Sequence, residues 1–236
     1  MARLTYERDG SVAVVRLDDG KANVVSHELI ADLRAALERA RGEASAVVLA
    51  GRDGRFSAGF DLTVMGAGPD SARALVRAGG ELLMDLYTYP LPLVVACTGH
   101  ALAAGALLLL TADRRIGAEG PFKIGLNEVA IGLRLPMYGV ELARERLSKR
   151  HFPSAVVLAR IYDPAGARDA GFLDEVVGAG SLMDAALAEA AALAPLSGPA
   201  LAQTKLAARE TMVAHVRATL EEDMRRLAPP ANTRKP

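Results

Sequence analysis

Short apolar runs divided by polar or glycine-bearing segments dominate the first half of the chain, and helical spacing dominates the second. Residues 4–7 and Val12–Leu17 read as two short strands, with Asp9-Gly10 between them as a hairpin signal. A polar loop follows at residues 18–23, after which Ser26 can cap a helix reaching Arg41 with Leu29, Leu33 and Leu37 at helical spacing. Ala46–Ala50 is wholly apolar, as expected of a strand buried on both faces. Residues 51–61 read as a glycine-punctuated loop, 71–87 as a helix whose exit ends at Pro90, and Leu93–Cys97 as a second buried strand. Residues 104–112 read as a helix and 114–117 as a short strand. Strand and helix alternating at this spacing predict an α/β layer with right-handed crossovers. From Met137 to Arg226 the pattern is helical, broken near Pro153, Asp163-Pro164 and Ser197-Gly198-Pro199, and residues 229–236 read as a frayed tail. This predicts a core over residues 1–190 and a dependent helical subdomain and tail over 191–236.

Composition narrows the functional classes. In 236 residues, 28 Lys and Arg balance 28 Asp and Glu, so the basic surplus of a general nucleic-acid binder is absent. Aromatics are 4% and Trp is missing, so the core must be built from Ala, Leu and Val. The single cysteine, Cys97, allows neither an internal disulfide framework nor a multi-cysteine metal site. The opening residues lack the basic-then-apolar pattern of a secretory signal, which predicts a cytoplasmic protein. Residues 93–112 are nearly all apolar and long enough to span a membrane, but Thr98-Gly99-His100 interrupts them, so a buried strand followed by a buried helix is expected, with no membrane partner.

Familiar catalytic motifs are missing: there is no G-x-x-x-x-G-K-[ST], no G-x-G-x-x-G after a strand and no G-x-S-x-G. The four histidines are scattered without metal-ligand spacing, so no metal is expected. Two small-residue segments carry more promise. Phe56-Ser57-Ala58-Gly59-Phe60-Asp61-Leu62 follows one buried strand, and Gly99-His100-Ala101-Leu102-Ala103-Ala104-Gly105 follows the other. Ligands bind beyond strand C-termini in open α/β layers, and small residues let backbone N–H groups approach a ligand closely. The second segment also opens a helix, whose first N–H groups are unpaired. Two such donors converging would form an oxyanion hole; tight packing is the simpler use of the same residues. A third segment, residues 124–133, places Glu128 alone in an apolar run, where burial would raise its pKa toward values suited to proton transfer.

These three blocks, FSAGFDL, TGHALAAGALLLLTADRRIGAEG and IGLNEVAIGL, resemble the crotonase superfamily, the enoyl-CoA hydratases and isomerases, and the likeness runs from the first hairpin to about residue 215. The resemblance implies an α/β fold: a spiral of ββα turns with two roughly perpendicular sheets and a helical C-terminal trimerisation region. It implies an acyl-CoA thioester substrate, with coenzyme A entering as part of that substrate and no separate cofactor. The thioester oxygen would be held by the backbone N–H groups of Phe60 and Ala104, with Ala58, Asp61, Leu62 and Leu107 against the substrate. The working unit would be a homotrimer or a dimer of trimers.

The carboxylates bear on the reaction. Hydratases of this superfamily carry two glutamates, and the resemblance maps those positions onto Leu107 and Glu128. Adding water takes one group to activate it and another to orient it or protonate carbon, and leucine does neither. Moving a double bond needs one base, and the Ile-Gly-Leu-Asn-Glu string resembles the mitochondrial-type Δ3,Δ2-enoyl-CoA isomerases. A dienoyl-CoA isomerase would want an acid where Pro136 stands. Two alternatives stay open: a hydratase using another acid such as Glu141, and a non-catalytic acyl-CoA carrier. The family's glycine-rich second loop is here Ala103-Ala104-Gly105, which keeps its N–H donors provided the backbone there does not need a positive φ.

Overall fold

The structure, a computed structural model, describes residues 3–227. β1 (Leu4–Asp9) and β2 (Val12–Leu17) form the expected antiparallel hairpin. α1 (His27–Glu43) begins where Ser26 Oγ accepts the Leu29 N–H, and turns Leu29, Leu33 and Leu37 inward. β3 (Ala46–Ala50) is buried at every position. The chain continues through β4 (Gly54–Ser57), α2 (Leu62–Gly66), α3 (Pro69–Tyr87), β5 (Leu93–Cys97), β6 (Gly99–Leu102) and α4 (Ala104–Thr111). It then runs through β7 (Arg114–Ala118), β8 (Ile124–Gly125), α5 (Met137–Arg146), α6 (Phe152–Val156), α7 (Pro164–Ala170), β9 (Glu175–Val177), α8 (Leu182–Leu193) and α9 (Pro199–Arg225).

Two sheets result. The larger has the order β1-β2-β3-β5-β7-β9, parallel beyond the first hairpin; the smaller is β4-β6-β8, all parallel. After the hairpin, each turn of the chain gives one strand to the larger sheet and the next to the smaller, which is the two-sheet spiral that the resemblance implies. The apolar run 93–112 is not one span: β5, β6 and the fully buried α4 divide it inside the core.

Four strands depart from the periodicity reading. β4 lies inside the segment read as a loop, β6 and β8 are glycine-bearing pieces, and β9 is a three-residue edge strand within the stretch read as helical. Two to four residues hold too few positions to establish an alternation, and glycine in a strand signals close backbone approach as well as a turn.

The C-terminal region packs on both sides of the core. α8 lays Leu182, Ala186 and Ala190 on the larger sheet against Ala46, Val48, Val94 and Ala96. Residues Ala179–Leu196 are apolar and long enough to cross a membrane by length and composition, and only 17% of them are buried. α9 contacts α3 and α5 and adds Met212, Val213, Val216 and Met224 to the main core. It is clamped by a partly buried charge cluster centred on buried Lys205: Lys205 Nζ donates to Tyr89 O, Leu91 O and Asp113 Oδ2, and Arg209 donates to Tyr87 O and Asp113 Oδ1. The tail expected at 229–236 lies outside the described residues.

Candidate active site

The first donor loop is built by the hairpin and β4. Asn23, 1% exposed, donates from Nδ2 to the carbonyls of Leu17, Arg55 and Phe56, and Ser57 Oγ donates back to Asn23 O. These bonds fasten the end of β4 to the hairpin. The Val25 N–H then donates to Gly59 O at 2.8 Å and the Asp61 N–H to Val25 O at 3.1 Å, bracketing Phe60. The second donor loop joins β6 to α4. Ala103 donates to Gly125 O at 3.0 Å, and its own carbonyl accepts from Ala106 and Leu107 as α4 begins.

The loops touch. Gly59 sits at φ +90°, and a Cβ there would meet Ala103 Cβ at 2.8 Å and the Ala104 nitrogen at 3.2 Å, so only glycine fits this crossing. Among the described residues, the N–H groups of Phe60 and Ala104 meet no acceptor. Contrary to the expectation for this alanine loop, its backbone does take a positive φ, at Ala103 (φ +51°, ψ −126°) and not at Ala104, so the strain belongs to the residue before the donor. α4 is buried throughout, so its N-terminal partial positive charge acts in a poorly solvated setting.

Between these loops and residues 127–138 lies a cavity of about 160 Å³. Ala58, Phe60, Leu62, Ala103, Leu107 and Glu128 line it, together with Asn127, Arg134, Pro136, Tyr138 and Leu227. Among the described residues, Glu128 is the one carboxylate in this lining. It precedes a single tight turn over Val129–Ile131, and its carbonyl accepts from Ile131 and Leu133, which fixes its backbone. The side chain is buried, and loss of hydration pushes its pKa up to about 7, against a smaller lowering by its own backbone N–H. Glu128 Oε2 and Asn127 Oδ1 are both buried without a partner among the described residues.

Asp223, 3% exposed on α9, holds the far side of this loop. It accepts from Arg134 Nη1 at 2.5 Å and from the Met137 N–H at 2.6 Å, capping α5. Tyr138 on α5 is fully buried and donates its hydroxyl to Val76 O at 3.2 Å. The C-terminal helix thus positions the segment that carries the acid.

The structure places most residues singled out in the sequence on this cavity, with exceptions. Ala104 lies outside the lining and instead borders a small separate gap with Phe60, Val25 and Gly79. Asp61 lies outside the lining and caps α2, accepting the Thr63 N–H at 2.8 Å. Glu141 also lies outside it, in an ion pair with Arg144. His100 accepts the Lys123 N–H away from the cavity. Burial pushes the Cys97 thiol up to about 12, an inert setting. No group of three or more possible metal ligands occurs among the described residues. Asn127, Arg134, Tyr138 and Leu227 join the site without having been singled out. Asn127 alone had a local signal, as the polar neighbour of Glu128 in an apolar run.

Comparison with known proteins gives one picture. The sequence model of the family described as enoyl-CoA hydratase/isomerase matches residues 7–235. A crystal structure of an enoyl-CoA hydratase/isomerase family protein from Pseudomonas syringae superposes with a TM-score of 0.93 at 42% identity, covering 96% of this chain and 98% of that one. An enoyl-CoA hydratase from Mycobacterium marinum superposes with a TM-score of 0.90 at 36% identity, covering 96% and 100%. The human mitochondrial enoyl-CoA delta isomerase 1 is 34% identical over 182 residues, 74% of this chain and 60% of that protein's length.

Proposed function

The chain belongs to the enoyl-CoA hydratase/isomerase family, and on that premise we propose that it isomerises a 3-enoyl-CoA to the 2-enoyl-CoA with Glu128 as the base. The observation that carries this reading is that Glu128 is the single carboxylate lining the cavity among the described residues, with Leu107 facing the same space.

In this reading the thioester oxygen accepts from the Phe60 and Ala104 N–H groups. The Glu128 carboxylate removes a proton from C2. The electron pair moves into the C1–C2 bond and charge passes to the thioester oxygen, giving a dienolate held by the two donors. A well-placed donor of this kind contributes about 2.7–4 kcal/mol toward the transition state. Glu128, now protonated, returns the proton to C4, and the double bond closes between C2 and C3. A carboxyl group with a pKa of about 7 suits both halves of the transfer, since it gains and loses a proton with little bias near neutrality. Its unpartnered Oε2 keeps an acceptor free for the substrate.

The test is absorbance of the conjugated enoyl thioester. An isomerase creates the chromophore from a 3-enoyl-CoA, a hydratase removes it from a 2-enoyl-CoA, and a carrier does neither. Growth of the band with the 3-enoyl substrate, lost in Glu128→Gln, supports the proposal. Faster loss of the band from 2-enoyl-CoA would overturn it in favour of hydration.

A further inference from the structure

The cavity has a direction. Leu62 at its rim is 68% exposed and Ile131 is 38% exposed, whereas Leu107, Val76 and Tyr138 are 1%, 2% and 0% exposed. The floor is therefore the end where the Tyr138 ring stands, on the side of α3. The ring reaches this place because α3 carries two adjacent glycines in its interior. A Cβ at Gly80 would lie 2.6 Å from both Tyr138 Cδ1 and Cε1, and a Cβ at Gly79 would collide with the Phe60 ring. Glycine inside a helix is disfavoured relative to alanine, and here the notch it leaves seats two aromatic rings that line the cavity.

We infer that Tyr138, seated in the Gly80 notch, is an acyl-length ruler that restricts this site to short thioesters of about six carbons. This rests on the acyl-CoA reading above and deepens it. A cavity of about 160 Å³ is close to the roughly 150 Å³ apolar cavity known to hold one six-carbon ring. Each methylene that enters the apolar end exchanges water for Leu107, Val76 and Met65, which tightens binding about fourfold per CH₂. Once the floor is reached, a further methylene must displace the Tyr138 ring, which has no free space behind it on α3, or remain near the exposed rim, and the gain stops.

The experiment measures calorimetric binding of saturated acyl-CoA thioesters from four to twelve carbons, which need no turnover, to the parent protein, Tyr138→Ala and Gly80→Ala. The parent should tighten about fourfold per CH₂ and break near six carbons. Tyr138→Ala should move the break outward by roughly two to four carbons. Gly80→Ala pushes the ring into the cavity and should move it inward. Opposite shifts separate a ruler from general damage, because a merely loosened protein would weaken all lengths together. Affinity that keeps rising to twelve carbons in the parent, or a break that stays put in both variants, overturns the ruler and leaves the isomerase reading standing. Absence of binding at every length overturns both.

Discussion

Replacing Glu128 by glutamine should weaken the enzyme and strengthen the fold, by amounts that depend differently on pH. Burial raises the Glu128 pKa from 4.5 to about 7. Between those values the folded chain keeps a proton that the unfolded chain has released. Stability therefore falls as pH rises across that window, and the whole penalty is present above about pH 7 and absent below about 4.5. Two and a half pH units correspond to about 3 kcal/mol. Glutamine has nearly the same shape and no charge, so Glu128→Gln should gain up to about 3 kcal/mol at pH 8 and close to nothing at pH 4.5. For a chain of this size that is a melting-temperature rise of roughly 6–12 °C at pH 8. Isomerisation should drop by about 10²–10⁴, the usual contribution of a positioned acid–base group.

The assay pairs thermal melts of parent and variant at pH 5 and pH 8 with initial rates at saturating substrate. A gain confined to the higher pH together with lost turnover is the expected result, the stability–activity trade-off of a charge buried for use. Equal melting shifts at both pH values would refute the raised pKa. Undiminished turnover in the variant would refute the role of Glu128 whatever the melts show.

The parent's kcat/KM should rise with pH through about 7 and then level, because the base must begin as carboxylate; a rate that is flat from pH 5 to 9 would contradict it. Asp113→Ala leaves Lys205, Arg209 and the Leu93 N–H without their shared acceptor, so it should cost about 3–5 kcal/mol in a denaturant melt. Ala104→Pro removes one proposed donor at the first position of α4, where proline is otherwise tolerated, and should lower activity by roughly 10²–10³ in a protein that still melts cooperatively. The trimer or dimer of trimers is expected because residues Ala179–Leu196 are apolar and only 17% buried in the single chain; a monomeric mass by light scattering at micromolar concentration would refute it.

The larger sheet is legible in the sequence because β3 and β5 are buried on both faces and so appear as unbroken apolar runs. α1 is legible because its cap and its stripe agree. Glu128 stands out as a lone acid among apolar residues, and the structure buries it for the same reason that it stands out. Tyr138 and Leu227 are different. Each is an ordinary apolar or aromatic position on a helix or at its end, and only the docking of α9 and α5 brings them to the cavity. Asp223 and Lys205 are charges within an apparently amphipathic helix, and nothing local distinguishes a solvated charge from one that another segment covers.

The second sheet escaped the periodicity reading for the reason that makes the site possible. Its strands are short and rich in small residues because β4, β6 and the start of α4 approach one another backbone to backbone. Gly105 shows the tolerance. A Cβ there would lie 2.8 Å from both the Ser57 carbonyl carbon and Ser57 Cβ, and neither is the movable end of a long side chain. Gly105→Ala must therefore push β4 away from α4, and β4 leads directly into the loop of Phe60. The separation of the Phe60 and Ala104 N–H groups would change even though neither residue is altered. Alanine is the better helix former by about 1 kcal/mol, so propensity alone predicts a more stable protein, while the close approach predicts a less stable and less active one. Gly66, on the exposed α2 with nothing near a Cβ, is the matched control and should accept alanine without loss. If Gly105→Ala behaves like Gly66→Ala in both melting temperature and isomerisation rate, the two loops are not held in register by backbone contact, and the oxyanion pair loses its structural basis.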